Sequence, residues 1–171
     1  MSAAAVILLA VTLQRVAELG LARANTRWLL AQGAVEAAPR HYPLMVMVHA
    51  AWLGTLWIYG RDQPVEAIAA CGYALAQLAR IWVIATLGRR WTTRIIVLPG
   101  APLIKDGPYR FVSHPNYMVV AAELALLPLA LGLPRVALVF TILNALILAV
   151  RIRAEDHALV AFALRAPTAP S

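Results

Sequence analysis

The chain has 171 residues, of which 62% are hydrophobic and 13% charged, and its mean hydropathy is +0.74. This apolar excess excludes an ordinary soluble domain, because so many apolar side chains have to face something other than water. The net charge of +7 is spread over the chain and not gathered in one basic arm, so it indicates loops beside an anionic membrane surface and excludes nucleic acid as a partner.

Five apolar segments follow one another along the chain, each close to the roughly 20 residues that a membrane-spanning helix needs. They lie at 2–22, 42–60, 64–87, 116–133 and 135–151. The second and third segments, and likewise the last two, are joined by short stretches with glycine and proline, which predict helical hairpins. The sequence therefore predicts an all-α integral membrane protein with five transmembrane helices in a single domain, residues 1–165, followed by a disordered tail at 166–171.

The basic residues predict how these helices are oriented. Eleven of the 15 lysines and arginines fall on one side of a five-span layout, and the opposite side holds only Arg61 and Arg135. The eleven are Arg23, Arg27, Arg40, Arg89, Arg90, Arg94, Lys105, Arg110, Arg151, Arg153 and Arg165. Because positive loops stay in the cytoplasm, we expect an outside N-terminus and a cytoplasmic C-terminus.

The connection at 88–115 is long for a helical protein, yet it is too apolar for a disordered segment, so we expect it to fold against the membrane face. It runs into the sequence G-P-Y-R-F-V-S-H-P-N-Y, residues 107–117. Gly-Pro predicts a turn, and His114-Pro115 predicts an extended residue followed by the first turn of a helix. Free backbone N–H groups at that helix start can bind a carboxylate or another polar cofactor group. The alternative is an interfacial aromatic belt with a histidine bonded to the backbone.

The last helix carries a second polar group of residues. Asn144, Arg151 and Glu155 are seven and four residues apart, which places them on one face of a helix that continues past the membrane. Ionisable groups inside a membrane span indicate a functional site. The alternative is a solvated helix end with an Arg–Glu pair one turn apart.

Several other polar residues lie inside or at the ends of the predicted spans. Arg15 and Glu18 can pair, and Glu123 shares a helix face with Asn116. His41 and His49 flank the start of the second span and, with Glu18, are candidates for a general base. As zinc ligands the two histidines would need a third protein ligand, and the sequence has none at a recognisable spacing, so no metal site is predicted. The five tryptophans are interpreted as interface anchors, and Met45 as a lipid-facing or core residue.

The two polar groups together resemble a known family. The order G-P-Y-R-F-V-S-H-P-N-Y, an apolar hairpin and R-I-R-A-E-D-H-A-L resembles the isoprenylcysteine carboxyl methyltransferase family over about 88–160. The segments R-V-A-E-L, A-R-A-N and H-Y-P-L-M-V-M-V-H look like small bacterial members, some of which methylate polyketide-derived phenolic or pyrone lipids. The resemblance implies a membrane enzyme, in a bacterial inner membrane, that uses S-adenosylmethionine.

The resemblance also implies site residues. Family positions that contact the cofactor correspond to Leu103, Ile104, Tyr109, His114, Pro115, Asn116, Tyr117 and Glu155. The family arginine near the methyl acceptor corresponds to Arg151, the predicted catalytic and substrate-binding residue. Asn144 is a predicted substrate-binding residue because of its place on the same helix face, not because of the resemblance. Many relatives have arginine where this chain has Ser113, and Glu-Glu where it has Glu155-Asp156.

We therefore expect an S-adenosylmethionine-dependent O-methyltransferase with a cytoplasmic cofactor pocket near its C-terminus and a lipophilic acceptor that enters from the bilayer. The acceptor is a phenolic or pyrone lipid, or a carboxylate like that of a prenylated cysteine. One alternative is an NADPH-dependent sterol-type reductase, for which Arg89, Arg90 and Arg94 would bind the 2′-phosphate. A second is a non-catalytic membrane subunit that keeps the fold. The sequence gives no oligomeric state.

Overall fold

Five helices make up most of the computed structural model, which describes residues 1–39 and 42–163. They are α1 (Ala3–Ala31), α2 (Tyr42–Tyr59), α3 (Ala67–Leu87), α4 (Pro115–Ala130) and α5 (Pro134–Ala163). Two antiparallel strands of two residues each, β1 (Val35–Glu36) and β2 (Ile96–Val97), pair with each other. The predicted all-α class and the five helices are confirmed. The predicted tail at 166–171 lies outside the described residues, as do Arg40, His41 and Arg165.

Three of the helices are long and apolar enough to cross a membrane: Ala3–Ala31, Ala67–Arg90 and Pro134–Ala158. Their outer faces are apolar as well, since Ile68 and Leu75 of α3 and Leu138 and Leu146 of α5 are each at least 63% exposed. Exposed leucines in such rows indicate contact with lipid. The chain is thus an integral membrane protein. Whether the shorter α2 and α4 also cross, giving five spans, stays a prediction.

The first helix is longer than predicted. The apolar segment ends near residue 22, but α1 continues to Ala31, so that Arg23 and Arg27 lie on the helix and not in a connection. The reason is that the residues after 22 are mostly good helix formers, and polarity marks where lipid contact ends, not where a helix ends. The helix stops just before Gly33, whose φ is +86°. At 1.5 Å per residue, α1 is about 44 Å long and extends beyond the roughly 30 Å hydrocarbon layer.

The core lies between α3, α4 and α5, with the N-terminal half of α1 and the C-terminal half of α2 packed against it. Trp52 and Leu56 of α2 are buried against Leu124 and Leu127 of α4. The Trp52 indole donates to the carbonyl of Leu124 at 3.3 Å. The interpretation of Trp52 as an interface anchor is therefore wrong, because its side chain is 1% exposed.

A buried network of charges joins α1, α3 and α4. The Glu123 carboxylate, fully buried, accepts from Arg15 Nη2 at 2.8 Å and from Arg80 Nε at 2.6 Å. Glu18 pairs with Arg15 at 2.8 Å, as predicted, and with Arg80 at 3.3 Å. Two arginines and two glutamates leave the network without net charge, which makes it tolerable away from water.

The C-terminal ends of α1, α3 and α5 meet at one end of the molecule, where the connection between α3 and α4 packs over them. Asn25 of α1 donates to the carbonyl of Trp91 at 2.8 Å. Strand β2 of this connection pairs with β1, which follows α1, and Ile95 and Val97 are buried with Ala158 of α5. The long connection is therefore a folded cap on the helix ends, in agreement with its apolar composition.

Candidate functional site

The large cavity, about 780 Å³, lies between the connection 90–113, the start of α4 and the C-terminal part of α5. It has the size of cavities that hold drug-sized ligands. Eight of the ten predicted site residues line it: Leu103, Ile104, Tyr109, His114, Asn116, Tyr117, Arg151 and Glu155. Pro115 is buried as the first residue of α4 and does not line the cavity. Asn144 lies elsewhere, as described below.

The Gly-Pro-Tyr turn predicted before α4 is a 3-10 turn, Gly107–Arg110, that sits against α3. Gly107 has a φ of +56°, and a Cβ at this position would collide with Thr86 Oγ1, so only glycine fits. The turn presents the Tyr109 ring to the cavity. Burial, and to a smaller extent the Glu155 carboxylate, raise the pKa of Tyr109 to about 12. Its hydroxyl therefore stays neutral and can donate a hydrogen bond.

His114 precedes α4 as predicted, but its side chain is not bonded to the backbone. Its ring stacks on Tyr117 with centroids 5.4 Å apart, and its Nε2 lies 3.5 Å from Asp156 Oδ1. The backbone at the helix start is largely used, because Pro115 has no N–H and the Tyr117 N–H donates to the His114 carbonyl at 3.1 Å. Of the backbone N–H groups expected to bind an anion at this helix start, the one of Asn116 is left for a ligand.

Tyr117 connects the two conspicuous charges of α5. Arg151 Nε donates to the Tyr117 hydroxyl at 3.0 Å, and that hydroxyl donates to Glu155 Oε2. In the described part of the chain, Arg151 and Glu155 form no direct ion pair, so the alternative of a simple pair one turn apart is wrong. Arg151 Nη1 lies 3.2 Å from Met45 Sδ, and Arg151 is only 4% exposed. A buried cation with one neutral partner and one sulfur partner is poorly compensated and suited to an anionic ligand.

The small cavity, about 290 Å³, lies among α1, α2, α4 and α5 and is mostly apolar. It shares five residues with the large cavity: Trp91, Thr92, Asn116, Tyr117 and Arg151. It reaches the outer surface at Val16 of α1 and Val46 of α2, which are 64% and 39% exposed. The two cavities therefore meet at Arg151, and the small one has an apolar edge on the lipid-facing side.

Asn144 lines the small cavity and not the large one. It is 1% exposed, and neither its amide nitrogen nor its amide oxygen has a hydrogen-bond partner within the described residues. A buried amide without a partner is costly, so Asn144 is a candidate for hydrogen bonding to a molecule in the small cavity. The predicted helix face of Asn144, Arg151 and Glu155 thus spans both cavities.

Trp91 and Met45 belong to the site, although neither was predicted there from the sequence. Trp91 is 2% exposed, lines both cavities and donates from its indole to Asn116 Oδ1 at 3.5 Å. Its interpretation as an interface anchor is therefore wrong. Met45 reaches Arg151 from α2. The loop position of Trp91 gives no local signal of burial, because the side chains that bury it come from α1, α3 and α4.

The three arginines suggested for a 2′-phosphate do not act together. Arg94 donates from Nη1 to both Glu36 oxygens at 2.9 Å and lies over the Tyr42 ring. Arg89 lies over the Trp28 ring and lines neither cavity, whereas Arg90 donates to the Pro102 carbonyl at 2.6 Å. Because each arginine already has a different partner in the protein, the reductase alternative is disfavoured. A reductase would need several arginines free to surround one phosphate.

Of the three base candidates, Glu18 is committed to the buried network, where it accepts from Gln14, Arg15 and Arg80. His49 lines the small cavity, and His41 lies outside the described residues. No group of three or more metal-ligating side chains occurs within residues 1–39 and 42–163.

Comparisons with known proteins agree with the motif positions. The sequence model of the "Isoprenylcysteine carboxyl methyltransferase (ICMT) family" matches residues 68–161. The "Uncharacterized protein YpbQ" of Bacillus subtilis (strain 168) is 39% identical over 158 residues, 89% of this chain and 94% of that protein. An "Uncharacterized protein" of Haemophilus influenzae is 31% identical over 139 residues, 77% of this chain and 80% of its own length. No solved structure matches.

Proposed function

The chain belongs to the isoprenylcysteine carboxyl methyltransferase family, and on that premise we propose that it transfers the methyl group of S-adenosylmethionine to an oxygen of a lipophilic acceptor. Family membership by itself indicates a membrane methyltransferase. The observation that supports the finer proposal is the meeting of two unlike cavities at Arg151. The large one has a mixed polar and apolar lining, and the small one is mostly apolar and reaches the lipid-facing surface.

The large cavity fits S-adenosylmethionine by the chemistry of its lining. When bound, the cofactor supplies a methyl group on a positively charged sulfur. Glu155 offers a carboxylate to a cationic or donor group, and the rings of Tyr109 and Tyr117 offer faces to the sulfonium or the adenine. Lys105 and Arg110, which also line the cavity, suit the cofactor carboxylate.

The small cavity fits the apolar part of the acceptor. An acceptor can enter from the bilayer between Val16 and Val46 and place its oxygen at Arg151. Methyl transfer needs an in-line approach more than it needs acid–base groups, so positioning by two adjoining cavities is suited to the reaction. Arg151 stabilises the acceptor oxygen as an anion, whether it comes from a carboxylate or from a hydroxyl.

The basic residues support an orientation of the protein in the membrane. The connection that caps the large cavity carries Arg89, Arg90, Arg94, Lys105 and Arg110, and such basic segments stay in the cytoplasm. We infer that the large cavity opens to the cytoplasm, where a water-soluble cofactor is available, and that the N-terminus is outside.

Ligand-induced stabilisation tests the proposed cofactor. In detergent, S-adenosylmethionine or S-adenosylhomocysteine at 100 times its dissociation constant is expected to stabilise the purified protein by about 2.7 kcal/mol, whereas NADPH is expected to have no effect. The measurement is thermal unfolding followed by tryptophan fluorescence. Stabilisation by NADPH alone would favour the reductase, and stabilisation by none of the three would contradict the proposal.

Glu155→Gln is expected to weaken cofactor binding about 10- to 100-fold, because a hydrogen bond to a charged group contributes roughly 1.5–3 kcal/mol. The measurement is titration of S-adenosylhomocysteine followed by the same thermal shift or by calorimetry. Glu66→Gln is the matched control, since Glu66 is exposed and lines neither cavity. Equal affinity of Glu155→Gln and the wild type would remove Glu155 from the cofactor site.

A further inference from the structure

We propose, resting on the function proposed above, that Trp91 contacts both the methyl donor and the acceptor, and that Asn25 of α1 is a positioning residue that acts through Trp91. The proposal gives a role to the segment A-R-A-N of α1, which lies outside the residues that match the family model. It holds for either class of acceptor.

Trp91 lies where the two cavities adjoin. It is one of the five residues that line both of them, and of those five only Trp91 and Tyr117 are aromatic. All five tryptophans lie in the described part of the chain, and Trp91 alone among them lines the large cavity. A ligand that fills either cavity therefore contacts Trp91.

The indole ring is held in place on its protein side. Its Nε1 donates to Asn116 Oδ1 at 3.5 Å, and Asn116 lines both cavities as well. Side chains from α1, α3, the Gly-Pro-Tyr turn and α4 pack with the ring, namely Ala22, Val83, Tyr109 and Val119. Because interiors are close-packed, these neighbours leave the 2% exposed Trp91 little room to move.

Asn25 holds the backbone on which Trp91 stands. Its Nδ2 donates to the Trp91 carbonyl at 2.8 Å and to the Gly88 carbonyl at 3.3 Å. The Trp91 N–H donates to the same Gly88 carbonyl at 3.1 Å. One buried amide of α1 thus binds both ends of the short turn that leads from α3 into the cap. Removing it leaves two carbonyls without this donor and loosens the turn.

The reaction is sensitive to the placement that this arrangement fixes. Methyl transfer needs an in-line approach, and a misplacement of about 1 Å can cost roughly 10²-fold in rate. A residue that contacts both ligands sets their positions relative to each other. A displaced Trp91 is therefore expected to lower kcat more than cofactor affinity, because the cofactor keeps its other contacts in the large cavity.

The kinetic test uses the full-length protein in detergent, with a long-chain phenol or a prenylated cysteine analogue, whichever the wild type methylates faster. Rates at saturation are divided by the number of S-adenosylhomocysteine sites found by titration, so that unfolded protein does not count. Asn25→Ala is expected to lower kcat about 10- to 100-fold and to leave the dissociation constant of S-adenosylhomocysteine within about threefold.

Two more variants on α1 accompany Asn25→Ala. Asn25→Ser retains a single donor, enough for one of the two carbonyls, and is expected to have an intermediate kcat. Thr26→Ala changes the next residue, which lines neither cavity, and is expected to keep the wild-type kcat.

A double-mutant cycle tests whether Asn25 acts through Trp91. Trp91→Leu keeps part of the apolar volume and is expected to lower kcat about 10²-fold. Adding Asn25→Ala to it is expected to lower kcat by less than about twofold more, because the ring that Asn25 positions is already gone. Two losses that multiply would show that Asn25 has an independent, structural effect.

Tryptophan fluorescence tests the contact with the cofactor without any acceptor. S-adenosylhomocysteine is expected to change the emission of the wild type and of Trp28→Phe, and most of this change is expected to be lost in Trp91→Phe. Trp28 is the matched control, since it is exposed and lines neither cavity. In Asn25→Ala the emission change is expected to differ in size from that of the wild type, because the ring has moved.

The inference and the proposed function fail in different ways. A full emission change in Trp91→Phe, a wild-type kcat or an unaltered emission change in Asn25→Ala, or losses that multiply in the cycle overturn the inference. If S-adenosylmethionine nevertheless stabilises the protein, the proposed function stands. Absence of that stabilisation in the wild type contradicts the proposed function itself.

Discussion

Replacing Arg151 by alanine is expected to lower methyl transfer about 10²- to 10³-fold while S-adenosylhomocysteine still binds within a few-fold of its wild-type affinity. Arg151 is 4% exposed and lines both cavities, and in the proposed reaction it holds the acceptor oxygen as an anion where the cavities meet. Its bond to Tyr117 supports the cofactor side only indirectly. The measurement is the initial rate with labelled S-adenosylmethionine and a long-chain phenol or a prenylated cysteine analogue, whichever the wild type methylates faster, together with the thermal shift.

Two variants sharpen this prediction. Arg153→Ala removes an exposed arginine on the same helix that lines neither cavity, and it is expected to retain the wild-type rate. Arg151→Lys keeps the charge but cannot reproduce the planar fork, so an intermediate rate is expected. If Arg151→Ala weakens binding as strongly as Glu155→Gln, the division between an acceptor residue and a cofactor residue is wrong.

Replacing Glu123 by leucine is expected to destabilise the protein by about 3–5 kcal/mol, because the buried Arg80 and the partly buried Arg15 lose their shared partner. Glu123 is fully buried and accepts from Arg15, Arg80 and also Gln77, at 3.0 Å. The measurement is reversible unfolding in detergent, followed by fluorescence.

A double variant tests whether charge balance is the cause. Arg80→Leu together with Glu123→Leu leaves Arg15 with Glu18, again without net charge, and is expected to recover most of the lost stability. A Glu123→Leu protein as stable as the wild type would show that the network does not hold the helices together.

Much of the fold could be predicted because membrane helices have strong local signals. Apolar stretches gave the five helices, and the glycine-proline joint before Pro134 gave the hairpin of α4 and α5. The other predicted hairpin is wrong, because α2 packs on α5 and not on α3. The spacing of Arg151 and Glu155 gave the helix face that lines the large cavity. Tyr109 and Tyr117 were expected beside these two, and all four line one cavity.

What the sequence could not predict depends on contacts between distant segments. The partners of Glu123 lie on α1 and α3, 108 and 43 residues earlier in the chain. Trp91 is buried among side chains of α1, α3 and α4, and the contact of Met45 with Arg151 joins residues 106 positions apart. The residue spacing within one helix does not predict which residues of another helix it contacts. The C-terminal extension of α1 was missed for another reason, since hydropathy reports lipid contact and not helix length.

The charge network also has a consequence for how the protein is made. At synthesis rates of about 5–20 residues per second, Arg15 emerges from the ribosome roughly 5–20 s before Glu123. During that interval the Glu18 carboxylate, 2.8 Å from Arg15 on the same helix, lets α1 enter the bilayer without net charge at this level. Arg80 has no acidic residue on its own helix and depends on a first helix already in place. The order of the helices along the chain is therefore also an order of charge balance: α1 is neutral by itself, Arg80 of α3 adds one positive charge, and Glu123 of α4 restores neutrality.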